Sequence, residues 1–172
     1  AGCELARISD DLFYLEALPE RVAVVGGGYI ATEFAGILHG LGCQVTQIYR
    51  GNLFLRGFDD DIRQFVAEQM RGQGVDLKFN SDVIRLEIVG GGKQLTYQDG
   101  SQQTFDEVFY ATGRVPKLDG LFAEGAAPAL TGNGAIKVDA GFATSIQGLY
   151  ALGDVIDRVQ LTPVALAEGM WL

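Results

Sequence analysis

The sequence predicts an α/β fold: a parallel sheet organised around one βαβ unit, with an antiparallel β-meander after it. Three observations point there. Val22 to Val25 is a continuous apolar run of the kind found in strands buried on both faces. A glycine cluster follows, and the next dozen residues carry apolar side chains at helical spacing. From Ile84 onward the apolar period drops to two.

Taken in order, residues 1–20 end in "FYLEALPE", a connector whose Phe13, Leu15 and Leu18 could pack on a surface, with Pro19 just before the first strand. "RVAVVGGGYIATEFAGILHGLGCQVTQIY" reads as strand, glycine turn, helix and strand. Ile30, Ala31, Phe34, Ala35, Leu38 and Leu41 share one helical face, and Gly40 and Gly42 mark its end. The second strand, Val45 to Tyr49, completes a unit of about thirty residues, the usual length of a right-handed parallel crossover.

Asp59, Asp60 and Asp61 place negative charge at a second helix start. Ile62, Phe65, Val66, Gln69 and Met70 keep the helical spacing until Gly72 and Gly74, and Val75 to Phe79 supplies a third strand. Ile84, Leu86 and Ile88 then alternate, "GGGK" turns the chain, "QLTY" alternates again, and Asp99-Gly100 signals another hairpin. "DEVFYATGRVP" is one more buried strand, ending in a turn at Gly113, and Pro116 marks a boundary. Beyond it the expectation is loops, short strands near Ile136 to Val138 and Leu149 to Leu152, and a closing helix with Thr162 as N-cap and Pro163 as first residue.

With 172 residues the chain can hold one core plus part of another. Its 22 acidic against 13 basic side chains, net charge −9, repel phosphate backbones and anionic lipid, so no nucleic-acid partner is expected and any anion site must be local. No apolar run approaches the roughly 18 to 20 residues of a membrane span, and no membrane association is expected. Cys3 and Cys43 fall outside any CxxC, CxxxxC or metal-ligand spacing, so no metal is expected. No signal-peptide pattern opens the sequence, and the expected setting is reducing and cytoplasmic. His39, the only histidine, reads as a helix-end residue.

The chemistry sits at the first turn. Gly26, Gly28 and Ala31 spell G-x-G-x-x-A between strand and helix. The first glycine permits a tight turn, the second lets backbone approach a pyrophosphate, and the small third residue allows close helix–strand packing. The helix N-terminus adds N–H donors and partial positive charge. By itself the pattern also fits a structural turn; in this context it predicts a Rossmann-like, dinucleotide-binding βαβ unit.

NAD sites usually carry Asp or Glu about twenty residues past the motif, on the ribose 2′-hydroxyl. Here the second strand ends in Tyr49-Arg50, with no carboxylate until Asp59. Arg50 and Arg56 bracket the following loop, and guanidinium forks match the several acceptor oxygens of a 2′-phosphate. The expected coenzyme is NADPH; the alternative is two solvated loop arginines.

In this order "GGGYIATEFAG", "RGNLFLRGFDDDIR", "YATGRVP", "GLYALGDV" and "LTPVALAEG" resemble the glutathione reductase family of flavin-dependent disulfide oxidoreductases. The glutathione reductase branch is the most similar, trypanothione reductases follow, and the NAD-using lipoamide dehydrogenases are less similar. The resemblance implies an NADPH-binding domain over residues 1–114 and part of the central FAD-binding domain over 115–172. It implies coenzyme contacts at Gly26, Gly28, Tyr29, Ile30, Ala31, Glu33, Arg50, Arg56 and Gly113. Tyr29 matches the tyrosine that covers the nicotinamide pocket, and Glu33 the glutamate that pairs with a flavin-side lysine. Gly113 and Arg114 match a turn near the dinucleotide, and Asp154 the aspartate on the ribityl chain of FAD. Read without the family, Tyr29 is an exposed aromatic, Glu33 a solvated carboxylate, Gly113 a turn and Asp154 a cap.

The family's first G-x-G-x-x-G, its redox-active CxxxxC and its His-Glu acid–base pair are not in this sequence. The expectation is therefore a piece of a longer chain, with no catalytic residue of its own, monomeric although the parent is a homodimer, and binding NADPH without turnover or retained FAD. The implied parent moves electrons from NADPH through FAD and an enzyme disulfide to glutathione disulfide. Two alternatives stand: a family member acting on another disulfide, and a stand-alone dinucleotide-binding module.

Overall fold

The computed structural model describes residues 1–172, and the chain divides into two compact units, Ala1–Gly113 and Arg114–Leu172. In the first unit the elements run β1 (Arg21–Val25), α1 (Tyr29–Gly40), β2 (Gln44–Ile48), α2 (Asp60–Gln73), β3 (Asp76–Lys78), β4 (Val83–Val89), β5 (Gly92–Tyr97), β6 (Gln102–Phe105) and β7 (Glu107–Tyr110). A parallel sheet has the order β3-β2-β1-β7, and a separate antiparallel sheet the order β4-β5-β6. In the parallel sheet Val22 stands opposite Val45 and Glu107, and Val25 opposite Ile48 and Tyr110.

The apolar run of β1 is explained by burial on both sides. Val22 and Val24 face a cluster with Ala31, Ala35 and Leu38 of α1 and Ala67 and Met70 of α2. Ala23 and Val25 face Leu86, Leu95, Tyr97 and Phe105 of the meander. Helices therefore cover one face of the parallel sheet and the meander the other, so every β1 side chain after Arg21 is enclosed. Each such Val contributes about 1.5 to 3 kcal/mol through burial.

Ahead of β1 the chain makes 3-10 turns at Cys3–Leu5 and Ser9–Tyr14. Arg7 joins β7 through main-chain bonds, its N–H donating to Val108 O at 2.9 Å and its O accepting from Tyr110 N at 2.8 Å. Glu107 ties three segments together: its carboxylate accepts from Arg7 Nε at 2.7 Å and pairs with Lys93 of β5. Burial pushes the Glu107 carboxyl up, but the bonds from Arg7, Lys93 and the Val108 N–H outweigh it and leave it below the usual value.

Three local expectations are corrected. The buried stripe of α2 is Ala67 and Met70 with half-buried Arg63 and Val66, while Ile62 and Phe65 are 53% and 59% exposed. Arg63 turns inward to bond loop carbonyls, which rotates the stripe by one residue. In β4 only Leu86 is fully buried, with Val83 packed partly against the same cluster; the register shifts between Val83 and Arg85, which takes Ile84 out of the alternation, and Ile88 is exposed near the hairpin end of the strand. Leu41 lies beyond the last turn of α1, as its exposed C-cap.

The second unit packs Ile136, Phe142, Ala151 and Ile156 into a small core. The strands expected near 136–138 and 149–152 are reduced to single bridges, Leu130 to Ile136 and Ala143 to Tyr150, since neither segment finds a partner for a second rung. The closing helix α3 (Thr162–Trp171) has Leu161 as its N-cap, so Thr162 is already inside the helix and Pro163 sits in the first turn. No helix of the chain is long and apolar enough to cross a membrane.

Candidate dinucleotide site

The site is built where β1 and β2 end. At Gly26 φ is +153°, and a Cβ there would lie 2.3 Å from the carbonyl oxygen of Ala111, just past β7, and 3.0 Å from Ala31 Cβ. The first glycine and the small Ala31 are thus explained by one close approach of turn, helix and neighbouring strand. Gly27 is enclosed as well: a Cβ there would fall 2.3 Å from the Tyr49 ring.

Gly28 is the opposite case. It is the N-cap of α1 with ordinary extended backbone, φ −88°, no side chain caps the helix, and a Cβ would meet nothing within 4 Å. The space beside the N-cap is therefore free of side chains, at the end of α1 where the first-turn amides of Ile30 and Ala31 precede the first intrahelical acceptor. That cradle, which a Cβ would begin to fill, fits a dinucleotide pyrophosphate.

Two hydrogen bonds set the peptide planes of the turn. Gln47, fully buried in β2, donates from Nε2 to Gly26 O at 3.1 Å and to Thr32 Oγ1 at 3.2 Å, while its Oε1 is buried without a partner. The Leu55 N–H donates to Gly27 O at 2.6 Å. Across a trans peptide C=O and N–H point opposite ways, so the N–H groups of Gly27 and Gly28 are turned away from Gln47 and Leu55.

The second of these bonds brings the arginine loop onto the glycine turn. Its start is held by Tyr49 N to Lys78 O at 2.9 Å and Asn80 N to Gly51 O at 2.9 Å. Its middle is held by Phe54, fully buried with its ring 5.4 Å from that of Phe79. Arg50 and Arg56 stand on this loop, both exposed, and neither takes part in any of the six ion pairs of the chain. The first carboxylate after β2, Asp59, is occupied as the N-cap of α2, accepting from Asp61 N at 3.0 Å and Ile62 N at 3.4 Å. The loop therefore offers two uncommitted cations and no free acid, a donor set suited to a phosphate rather than a ribose hydroxyl pair.

The remaining candidates fall in two places. Tyr29, 38% exposed, and Glu33 lie one turn apart on the outer face of α1, and Ile30 beside them is half-buried. Gly113, φ +144°, follows β7 at the same end of the sheet, where Ala111 N donates to Val25 O at 2.8 Å. Asp154 belongs to the second unit, in a 3-10 turn at Gly153–Ile156, and pairs with Arg114 at 3.4 Å with both side chains about half exposed.

Sequence reasoning passed over Gln47, Leu55 and Arg63. Gln47 left one signal, an amide inside an otherwise buried strand; Leu55 acts through its main chain and left none. A cleft of about 630 Å³ lined by Arg21, His39, Thr46 and Asp76 opens at the other end of the parallel strands and contains no candidate residue. There His39 Nε2 bonds Gln73 O at 2.8 Å, as a helix-end histidine does.

A family profile for pyridine nucleotide-disulphide oxidoreductase matches residues 5–169. A glutathione reductase of Burkholderia cepacia is 46% identical over 169 residues, which cover 98% of this chain and 38% of that protein. A trypanothione reductase of Leishmania donovani is 41% identical over 172 residues, covering 98% and 35%. Among solved structures, the Cu(II) complex of the HOCl-induced flavoprotein disulfide reductase RclA from Escherichia coli superposes with a TM-score of 0.93 at 32% identity, over 99% of this chain and 40% of that one. The chain thus spans under two fifths of the length of these curated relatives.

Proposed function

The chain belongs to the pyridine nucleotide-disulphide oxidoreductase family, and we propose that it is the NADPH-binding portion of a flavoprotein disulfide reductase, most closely a glutathione reductase. One observation carries the choice of coenzyme: Arg50 and Arg56, free of ion pairs, stand on a loop bonded to the glycine turn, and the nearest carboxylate is spent on a helix cap.

In this proposal the turn at Gly26 and Gly28 and the first-turn amides through Ile30 and Ala31 receive the pyrophosphate, and Arg50 and Arg56 take the 2′-phosphate. Tyr29 covers the nicotinamide pocket, Glu33 stands one turn further along α1, and Gly113 lets the chain pass close to the dinucleotide. NADPH and FAD together supply hydride and electron-pair transfer, which in the whole reductase ends on glutathione disulfide. The chain's own residues bind and orient the coenzyme; no step is assigned to Asp154. Residues 1–114 form the NADPH domain and 115–172 part of the FAD domain of a cytoplasmic, dimeric parent, and the 172-residue chain binds NADPH without turnover. A trypanothione reductase at 41% identity supports the alternative of a parent acting on another disulfide, because the roles proposed for these residues concern the coenzyme and not the disulfide.

Titration of NADPH and NADH against the chain, Arg50→Ala and Arg56→Ala tests the proposal. A charge-assisted bond contributes about 1.5 to 3 kcal/mol, less at an exposed rim, so NADPH should bind at least about tenfold tighter than NADH. Each substitution should remove most of that margin and leave NADH unchanged. Equal affinities in the unsubstituted chain, or a preference that survives both substitutions, refute the assignment.

A further inference from the structure

We propose that Arg63 is a positioning residue for coenzyme discrimination: from the first turns of α2 it fixes the backbone of the loop that presents Arg50 and Arg56. This rests on those two arginines forming the 2′-phosphate clamp.

The guanidinium of Arg63 donates from Nε to Phe54 O at 2.7 Å and from Nη2 to Leu53 O at 2.7 Å, and its Nη1 pairs with Asp60. Its side chain is 15% exposed. A planar fork that binds two successive carbonyls fixes the orientation of two successive peptides, which a single flexible ammonium does not do.

The second of these peptides is held from both sides. Phe54 O and the Leu55 N–H belong to one trans unit and point in opposite directions. The oxygen is bound by Arg63 and the N–H by Gly27 O at 2.6 Å. One peptide therefore joins α2 to the glycine turn. Leu55 itself sits at φ +55°, a left-handed conformation unfavourable for a residue with a Cβ, so it persists only while its surroundings impose it. Arg56 is the next residue, and its direction follows from that backbone.

Loss of the fork would free the Leu53 and Phe54 carbonyls and let Leu55 relax toward negative φ. The pyrophosphate cradle would keep the bonds of Gln47 to Gly26 O and Thr32 Oγ1 and of Gly26 N to Ile48 O, none of which passes through Arg63, so loss of the fork reaches the cradle only through the single Leu55–Gly27 bond. Removing Arg63 should therefore weaken 2′-phosphorylated ligands selectively, a pattern that general destabilisation does not produce.

The test is calorimetric titration of the full chain with adenosine 2′,5′-bisphosphate, 5′-AMP, NADPH and NADH. Arg63→Met keeps the apolar stem and removes the donors; it should weaken the bisphosphate and NADPH by about tenfold, with 5′-AMP and NADH within about twofold. Arg63→Lys, which keeps the charge without the fork, should recover part of the loss and reads the same selectivity if Arg63→Met folds poorly. If the unsubstituted chain shows no preference for 2′-phosphate, the clamp itself fails and the inference with it. If that preference exists and survives in both variants, or if both ligand classes weaken equally, Arg63 has no positioning role and only this inference falls.

Discussion

The two outer glycines of the turn should fail in different ways when each is given a methyl group. In Gly26→Ala the new Cβ would sit 2.3 Å from Ala111 O and 2.8 Å from its carbonyl carbon. Carbon–oxygen contacts rest at about 3.3 Å or more, so the turn would have to part from the end of β7 by about 1 Å. The φ of +153° adds strain, about 1 to 3 kcal/mol for a side-chain-bearing residue in a glycine region. Overpacking adds about 1 to 3 kcal/mol more, for a total near 4 kcal/mol.

Gly28→Ala meets nothing within 4 Å at an extended φ of −88° and costs under about 1 kcal/mol as a poorer N-cap. Its methyl group would instead occupy the cradle, lowering NADPH affinity by about tenfold or more, some 1.4 kcal/mol. Urea melts and NADPH titrations of the two variants separate the effects: Gly26→Ala loses stability, Gly28→Ala loses binding at near-normal stability. A Gly28→Ala chain that binds NADPH normally would show that no phosphate passes there, and a Gly26→Ala chain that melts normally would refute the close approach to Ala111.

Glu107 makes folding sensitive to acid. Its carboxyl is held below its ordinary value of 4.5, so its stabilisation is complete above about that pH and is lost as the pH falls through the lower folded-state value. Glu107→Gln should cost about 2 kcal/mol at pH 7, the range of hydrogen bonds to a charged group, and flatten the acid limb of a stability–pH curve below pH 4.5; an unchanged limb counts against the Arg7–Glu107–Lys93 tie. Asp59→Ala should cost about 1 kcal/mol through the lost cap, read in a thermal melt, while leaving the ratio of NADPH to NADH affinity intact. A shift of that ratio toward NADPH would mean that Asp59 also reaches the coenzyme.

What the sequence made legible follows from the physics of each element. The β1 run was readable because a strand enclosed by α1 and α2 on one side and the meander on the other has no polar position to blur it. Gly26, Gly28 and Ala31 were readable because steric demands at fixed spacing leave a fixed pattern. The orientation of α2 was not, since it is set by the bonds of Arg63 to two loop carbonyls and not by apolar period. Nor were the missing strands of the second unit, where residues 136–138 and 149–152 have strand-like composition but one bridge apiece. The link from the loop to the glycine turn was invisible for a different reason: Leu55 and Gly27 meet through main-chain atoms, which every residue but proline carries.

That main-chain link separates two tasks. Because the loop is closed by an amide and a carbonyl, the closure is indifferent to the side chains at positions 50 and 56, which stand outside it. On the proposed assignment, holding a dinucleotide is written in backbone and choosing one in two replaceable side chains. Acidic or neutral residues could stand in their place with the turn still tied, so coenzyme preference in this chain is a setting that can be rewritten without rebuilding the fold beneath it.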